Sequence, residues 1–123
     1  MNDPEVTMRL SDPNPFVALT VALEAAGLAI ALVRRVPPPL KSIVDQVVRA
    51  ASSVPPNLSE GHGRAGRDRA HHWRIAYASA KEVDSHLRLL VTANAIDNEH
   101  ATRALELFDR VRAMTWRMLH PRR

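Results

Sequence analysis

The segment that decides the fold reads RAASSVPPNLSEGHGR and spans residues 49–64. Pro55 and Pro56 lack amide protons, and each pushes the residue before it away from helical torsion angles. Residues 57–60 nevertheless continue at helical spacing, so the sequence predicts one long helix that is kinked or broken at the prolines. We expect Gly61 to end this helix in the left-handed conformation that glycine adopts readily.

The flanking sequence predicts three further helices. Asn14 is a typical N-cap with Pro15 at the first helical position, and Asp68 is a suitable N-cap after the glycine-rich loop. The four predicted helices run from about Pro15 to Arg35, Leu40 to Gly61, Asp68 to residue 93, and Asn98 to Leu119. The short connections between them favour antiparallel neighbours. The predicted fold class is therefore all-α: an antiparallel up-down-up-down four-helix bundle, with the second helix kinked or broken at Val54–Pro56.

Apolar residues recur at helical spacing and predict which faces are buried. The predicted inward residues of the last three helices are Ile43, Val44, Val47, Ala51 and Val54; Trp73, Ala76, Tyr77, Ala80, Val83, Leu87 and Leu90; and Leu105, Phe108, Val111, Met114 and Met118. Residues 1–13 are polar and without periodicity, which predicts a loose tail before a single bundle domain at residues 14–120.

Composition agrees with a helical bundle. The chain has 123 residues, of which 46% are hydrophobic and only 4% aromatic, which favours helix over a strand-rich sandwich. Cysteine is absent, so disulfide and thiol chemistry are excluded and a cytoplasmic location is expected. The net charge is +4, and Lys41 and Lys81 are the only lysines among 17 basic residues. Arginine suits phosphate because its planar guanidinium donates forked hydrogen bonds.

The first helix is apolar on two faces. One predicted face contains Phe16, Leu19, Leu23, Ile30 and Val33, and the other contains Val17, Val21, Leu28 and Leu32. A segment of this length is at the lower limit for crossing a membrane. Glu24 argues against that, because a central charge costs about 2.5 to 3.5 kcal/mol on insertion. We therefore expect no membrane partner but a homo-oligomer, in which one face packs in the bundle and the other against a neighbouring subunit.

The basic loop predicts an anion site. Arg64, Arg67 and Arg69 lie beside the free amides that begin the third helix, and Arg74 extends the strip. With Arg49, these arginines are the candidate contacts to phosphates of RNA or DNA, in binding that is tolerant of sequence and sensitive to salt. The alternative is a merely solvated basic loop. Residues 61–66 formally match GxGxxG, but no strand precedes them, as dinucleotide binding requires.

The polar residues around the prolines receive a structural interpretation. The prolines leave carbonyl groups without donors, and the Asn57 side chain can donate to them. Glu60 is placed to pair with Arg49 or Arg64, or to satisfy backbone donors near the kink. The predicted structural motif comprises Pro55, Pro56, Asn57, Glu60, Gly61 and Gly63.

The sequence offers little support for catalysis or for metal binding. No serine lies beside a credible base, so no catalytic residue, enzyme activity or cofactor is predicted. His71 and His72 point about 100° apart, and Glu82 with His86 is at most half a metal site, so no metal is predicted. Two alternatives stay open: a scaffold that binds a protein partner, and an enzyme acting on a nucleotide or phosphoester beside Glu60 and His62.

Two clusters of residues also carry a family resemblance. The first comprises Gln46, Arg49-Ala50-Ala51, Ser53-Val54-Pro55, Asn57-Leu58-Ser59-Glu60-Gly61 and Gly63-Arg64, and the second comprises Trp73-Arg74-Ile75-Ala76, Ser79, Glu82 and Leu87. Together they resemble the signature of the bacterial 23S rRNA intervening-sequence proteins. The chain departs from that pattern at Val48, Pro56, Arg69 and His72.

The resemblance implies a small four-helix bundle with no established enzymatic activity, assembled as a fivefold ring. A similar bundle serves as the accessory protein of diversity-generating retroelements, where a basic surface engages nucleic acid and a reverse transcriptase.

Overall fold

A computed structural model describes residues 14–121, and in this part of the chain every regular element is helical. The helices are α1 (Pro15–Val33), α2 (Lys41–His62), α3 (Gly66–Thr92) and α4 (Asn98–Leu119), with a short 3₁₀ helix at Pro38–Leu40. The all-α prediction is confirmed. The predicted tail at residues 1–13 lies outside the described residues, as do Arg122 and Arg123.

The four helices pack in a closed cycle. Each of α1 and α3 contacts both α2 and α4, which is the neighbour pattern of an up-down-up-down bundle. The predicted inward residues of α2, α3 and α4 are buried, except for partly buried Ile43, Val44, Tyr77 and Leu105. The largest fully buried side chain is Phe108. The predicted fold class is thus confirmed.

The α1 helix begins as predicted but buries a different face. The Asn14 side chain accepts hydrogen bonds from the amides of Phe16 at 2.9 Å and Val17 at 3.4 Å. The buried residues are Ala18, Val21, Ala22, Ala25, Ala26, Ala29 and Val33. The two predicted faces are therefore wrong, because each mixes buried with exposed residues. Alanines on the inner side let neighbouring helices approach closely, and the larger side chains are left on the outside.

By length and composition, α1 could cross a membrane, and less than half of its most apolar window is buried inside the bundle. A core helix of a soluble protein and an N-terminal signal sequence meet the same criterion. Its buried alanine face, and not its mean hydropathy, shows how it packs in this fold.

The α2 helix continues through both prolines without a break. The sequence predicted that the prolines either kink or break this helix, and a break is therefore excluded. Pro55 is buried and Pro56 is exposed. The Asn57 side-chain amide donates to the Ser53 carbonyl at 2.8 Å, and not to either of the carbonyls four residues before the prolines, which lose their helical donor. Burial of Val54 and Leu58 on either side of the prolines keeps this turn packed, which offsets the lost backbone hydrogen bonds.

The end of α2 differs from the prediction. Gly61 lies inside the helix, which ends at His62, so it is not a left-handed terminator. A Cβ atom on Gly61 would lie 2.4 Å from the Cδ1 and Nε1 atoms of Trp73, so glycine is required for close packing. Among the glycines of the described chain, the one with positive φ is Gly66, at +61°. It begins α3 with Ala65 as N-cap, and the predicted cap Asp68 lies in the first turn instead.

Candidate nucleic-acid interface

Arg64 connects α2 to α3 through two carboxylates. Its guanidinium lies 3.1 Å from Asp68 and 3.3 Å from Glu60. The hydrogen bond to Asp68, and to a smaller extent the one to Glu60, raises the pKa of Arg64 above its ordinary value. The predicted pairing of Glu60 with Arg64 is confirmed, and two anions already offset the charge of this arginine.

Arg69 holds the end of α2. Its Nε atom donates to the Gly61 carbonyl at 3.1 Å and its Nη2 atom to the His62 carbonyl at 3.3 Å. Its guanidinium also lies over the Trp73 ring, 5.3 Å from the centroid. A cation at a helix C-terminus satisfies carbonyls that have no helical partner and interacts favourably with the helix dipole. Arg69 is thus occupied in a structural contact.

Arg49 is exposed but also paired. It reaches Glu82 on α3 at 3.2 Å and donates a hydrogen bond to Gln46. Exposed pairs of this kind contribute about 0 to 1 kcal/mol, so the contact constrains Arg49 only weakly.

Arg67 and Arg74 are the two predicted contacts that have no partner among the described residues. Both are exposed, and neither forms an ion pair or a side-chain hydrogen bond within residues 14–121. Lys81 shares this property, although the sequence analysis did not select it. The three residues recur at intervals of seven, so they lie on one face of α3, about 10.5 Å apart. We call Arg67, Arg74 and Lys81 the α3 strip.

Polar side chains of α2 and α3 meet between the two helices. Asn57 Oδ1 lies 3.0 Å from His72 Nδ1, and the Ser79 hydroxyl donates to the Ser53 hydroxyl at 3.1 Å. These contacts, with Arg49 and Glu82, pair the two helices in a fixed register. The polar residues near the prolines therefore have interhelical partners that explain their presence.

The remaining candidates are placed as follows. Trp73 is buried and its Nε1 donates to the Leu58 carbonyl at 3.3 Å, which confirms the core prediction.

Across residues 14–121, no group of three or more His, Asp or Glu side chains could hold a metal ion. Glu82 and His86 lie 3.5 Å apart, and Glu82 also accepts from Arg49. The loop that matches GxGxxG joins two helices.

Comparison with known proteins places the chain in a family. No curated protein matches it. A crystal structure of a protein of unknown function from the S23 ribosomal protein family of Bacteroides thetaiotaomicron VPI-5482 shares the fold, with a TM-score of 0.77 at 20% identity, over 86% of this chain and 97% of the other. The family model for the 23S rRNA-intervening sequence protein matches residues 19–117. The chain therefore belongs to the 23S rRNA-intervening sequence protein family.

Proposed function

We propose that the protein is a non-enzymatic, cytoplasmic oligomer that binds RNA or DNA through the α3 strip. The observation that carries the proposal is a row of exposed cations without anionic partners. By contrast, Lys41, Arg49 and Arg103 each have a carboxylate within 3.2 Å. A phosphate backbone supplies the anions that the strip lacks, and such contacts do not depend on base sequence.

The expected binding is weak for one subunit. Three phosphate contacts give a slope of log affinity against log salt of about −2.7 on duplex DNA, so a fourfold rise in salt weakens binding about 40-fold. Several subunits acting together would bind more tightly, because further strips engage the same strand at high effective concentration.

The assembly is proposed from the outside of α1. Phe16 and Leu23 are 72% and 58% exposed, and Val17 and Leu28 are exposed as well. We call these four residues the α1 outer face. Exposed Glu24, which pairs with Arg103 at 3.1 Å, lies on the same side of the helix. Large apolar side chains left exposed on one helix mark a candidate interaction site in a soluble protein. A second copy of the chain is the proposed partner, and the family resemblance extends this to a ring of five.

The function test compares two triple variants. Arg67→Ala/Arg74→Ala/Lys81→Ala removes the α3 strip, whereas Lys41→Ala/Arg49→Ala/Arg103→Ala removes three paired cations and changes net charge equally. Fluorescence anisotropy with a labelled oligonucleotide at about 50 mM salt, where phosphate contacts are strong, measures the affinity of each. We expect the strip variant to bind at least tenfold more weakly and to lose about 2.7 from its salt slope on duplex DNA for each strip that engages the ligand.

Other outcomes have distinct meanings. Equal losses in the two variants would show that net charge, and not the strip, attracts nucleic acid. If the wild-type protein binds no RNA or DNA at this salt concentration, the scaffold alternative replaces the proposal, with the α1 outer face as the site for a protein partner.

A further inference from the structure

Trp116 is an exposed aromatic residue that the core does not use. Its side chain is 50% exposed on α4, although the chain's other tryptophan is buried. The His120 ring stacks on it, with centroids 4.2 Å apart and planes 25° apart. His120 is itself held through a 2.8 Å contact between its Nδ1 atom and the Trp116 carbonyl. The indole is therefore displayed at the surface in a supported orientation.

A shallow groove of about 530 Å³ runs beside Trp116, between α3 and α4. Its lining includes Tyr77, Arg112, Arg117 and the carboxylate of Asp109. Arg112 lies between Asp84 at 3.3 Å and Asp109 at 3.0 Å, so its charge is offset. Arg117 is exposed and has no ion pair with any described residue. The groove thus combines aromatic surface with one uncompensated guanidinium.

The groove lies next to the α3 strip. Tyr77 follows Arg74 by three residues and precedes Lys81 by four, so the three side chains are neighbours on the α3 surface. A strand whose phosphates contact Arg74 and Lys81 would therefore pass the mouth of the groove. Trp116 lines that same groove from the α4 side.

We infer that Trp116 is a stacking platform for an unpaired base, so that the preferred ligand of the α3 strip is single-stranded nucleic acid. This inference rests on the proposed function. A base in a duplex has both faces covered by its neighbours, whereas a base in a single strand can stack on an indole. The basic surroundings favour a polyanionic ligand over an apolar protein surface.

The test uses Trp116→Leu, which keeps an apolar side chain but removes the stacking surface, and Trp116→Phe, which retains an aromatic ring. Anisotropy measures binding to a polythymidine strand of about 16 nucleotides and to a mixed-sequence duplex of equal length. We expect Trp116→Leu to lower single-strand affinity roughly five- to a hundredfold without changing duplex affinity. Trp116→Phe should restore most of the loss. Single-stranded DNA should also quench wild-type tryptophan fluorescence more strongly than that of Trp116→Phe.

Three results would overturn the inference: unchanged single-strand affinity in Trp116→Leu, an equal loss for single strand and duplex, or a changed oligomer mass, which would place Trp116 in a protein interface. If the strip variant abolishes binding while Trp116→Leu does not, the proposed function stands and the stacking platform fails. If the wild type binds neither form, both fail.

Discussion

At the scale of single residues, Gly61 is the most constrained of the described glycines, because the indole of Trp73 occupies the space of its missing side chain. The contact is close enough that any Cβ atom would have to displace a buried ring. That ring also donates a hydrogen bond to the Leu58 carbonyl. A glycine, an indole and a backbone carbonyl thus fix how α2 lies on α3.

Gly61→Ala is expected to lower the free energy of unfolding by about 1 to 3 kcal/mol, the usual cost of overpacking a core. Urea denaturation followed by circular dichroism measures this change. Gly63→Ala is the matched control, because Gly63 has a φ of −79° and a Cβ there would be no closer than 3.8 Å to the nearest atom. Equal stability of Gly61→Ala and wild type would show that Trp73 moves aside without cost.

At the scale of elements, the two arginines that begin α3 have different roles. Arg69 donates to carbonyls at the end of α2, whereas Arg67 points to solvent with no partner in the described part of the chain. Both residues are arginines, so only their surroundings distinguish the helix cap Arg69 from Arg67, the proposed contact to nucleic acid.

Arg69→Ala should therefore lower stability by about 1 to 2 kcal/mol, since it removes charged hydrogen bonds to backbone carbonyls. Arg67→Ala should leave stability unchanged and weaken nucleic-acid binding. Thermal unfolding and anisotropy, measured on both single variants, separate the two effects. The assignment fails if Arg67→Ala is the less stable protein or if neither variant differs from wild type.

The elements themselves follow largely from the sequence. Caps, prolines and apolar spacing predicted all four helices to within a few residues, because these signals act locally. The roles of Gly61 and Arg69 could not be predicted, since both depend on contacts between α2 and α3 that form only in the folded bundle. The buried face of α1 was missed because alanine and leucine are both apolar, and close helix packing selects the smaller one. Lys81 could have been found from its seven-residue spacing to Arg74.

At the scale of the whole molecule, the proposed function depends on assembly. One subunit offers three cations of the α3 strip, and we expect three such contacts to bind nucleic acid weakly at physiological salt. Burial of the α1 outer face between copies would both remove apolar surface from water and bring several strips into one binding unit.

Leu23→Glu places a charge on the α1 outer face and should prevent assembly, because an unpaired charge is costly to bury in an apolar interface. The circular dichroism spectrum of this variant should remain that of a helical protein, since Leu23 is already exposed in the subunit. Leu89→Glu is the matched control on α3, where the leucine is 49% exposed. This control should keep the wild-type assembly.

Light scattering coupled to size-exclusion chromatography tests the account most directly. We predict that the wild type and Leu89→Glu have a mass several times the 13.7 kDa of one chain, with five copies proposed, and that Leu23→Glu has the mass of a single chain. A wild-type mass of 13.7 kDa at micromolar concentration would contradict the account, because the α1 outer face would then face water in the stable form of the protein.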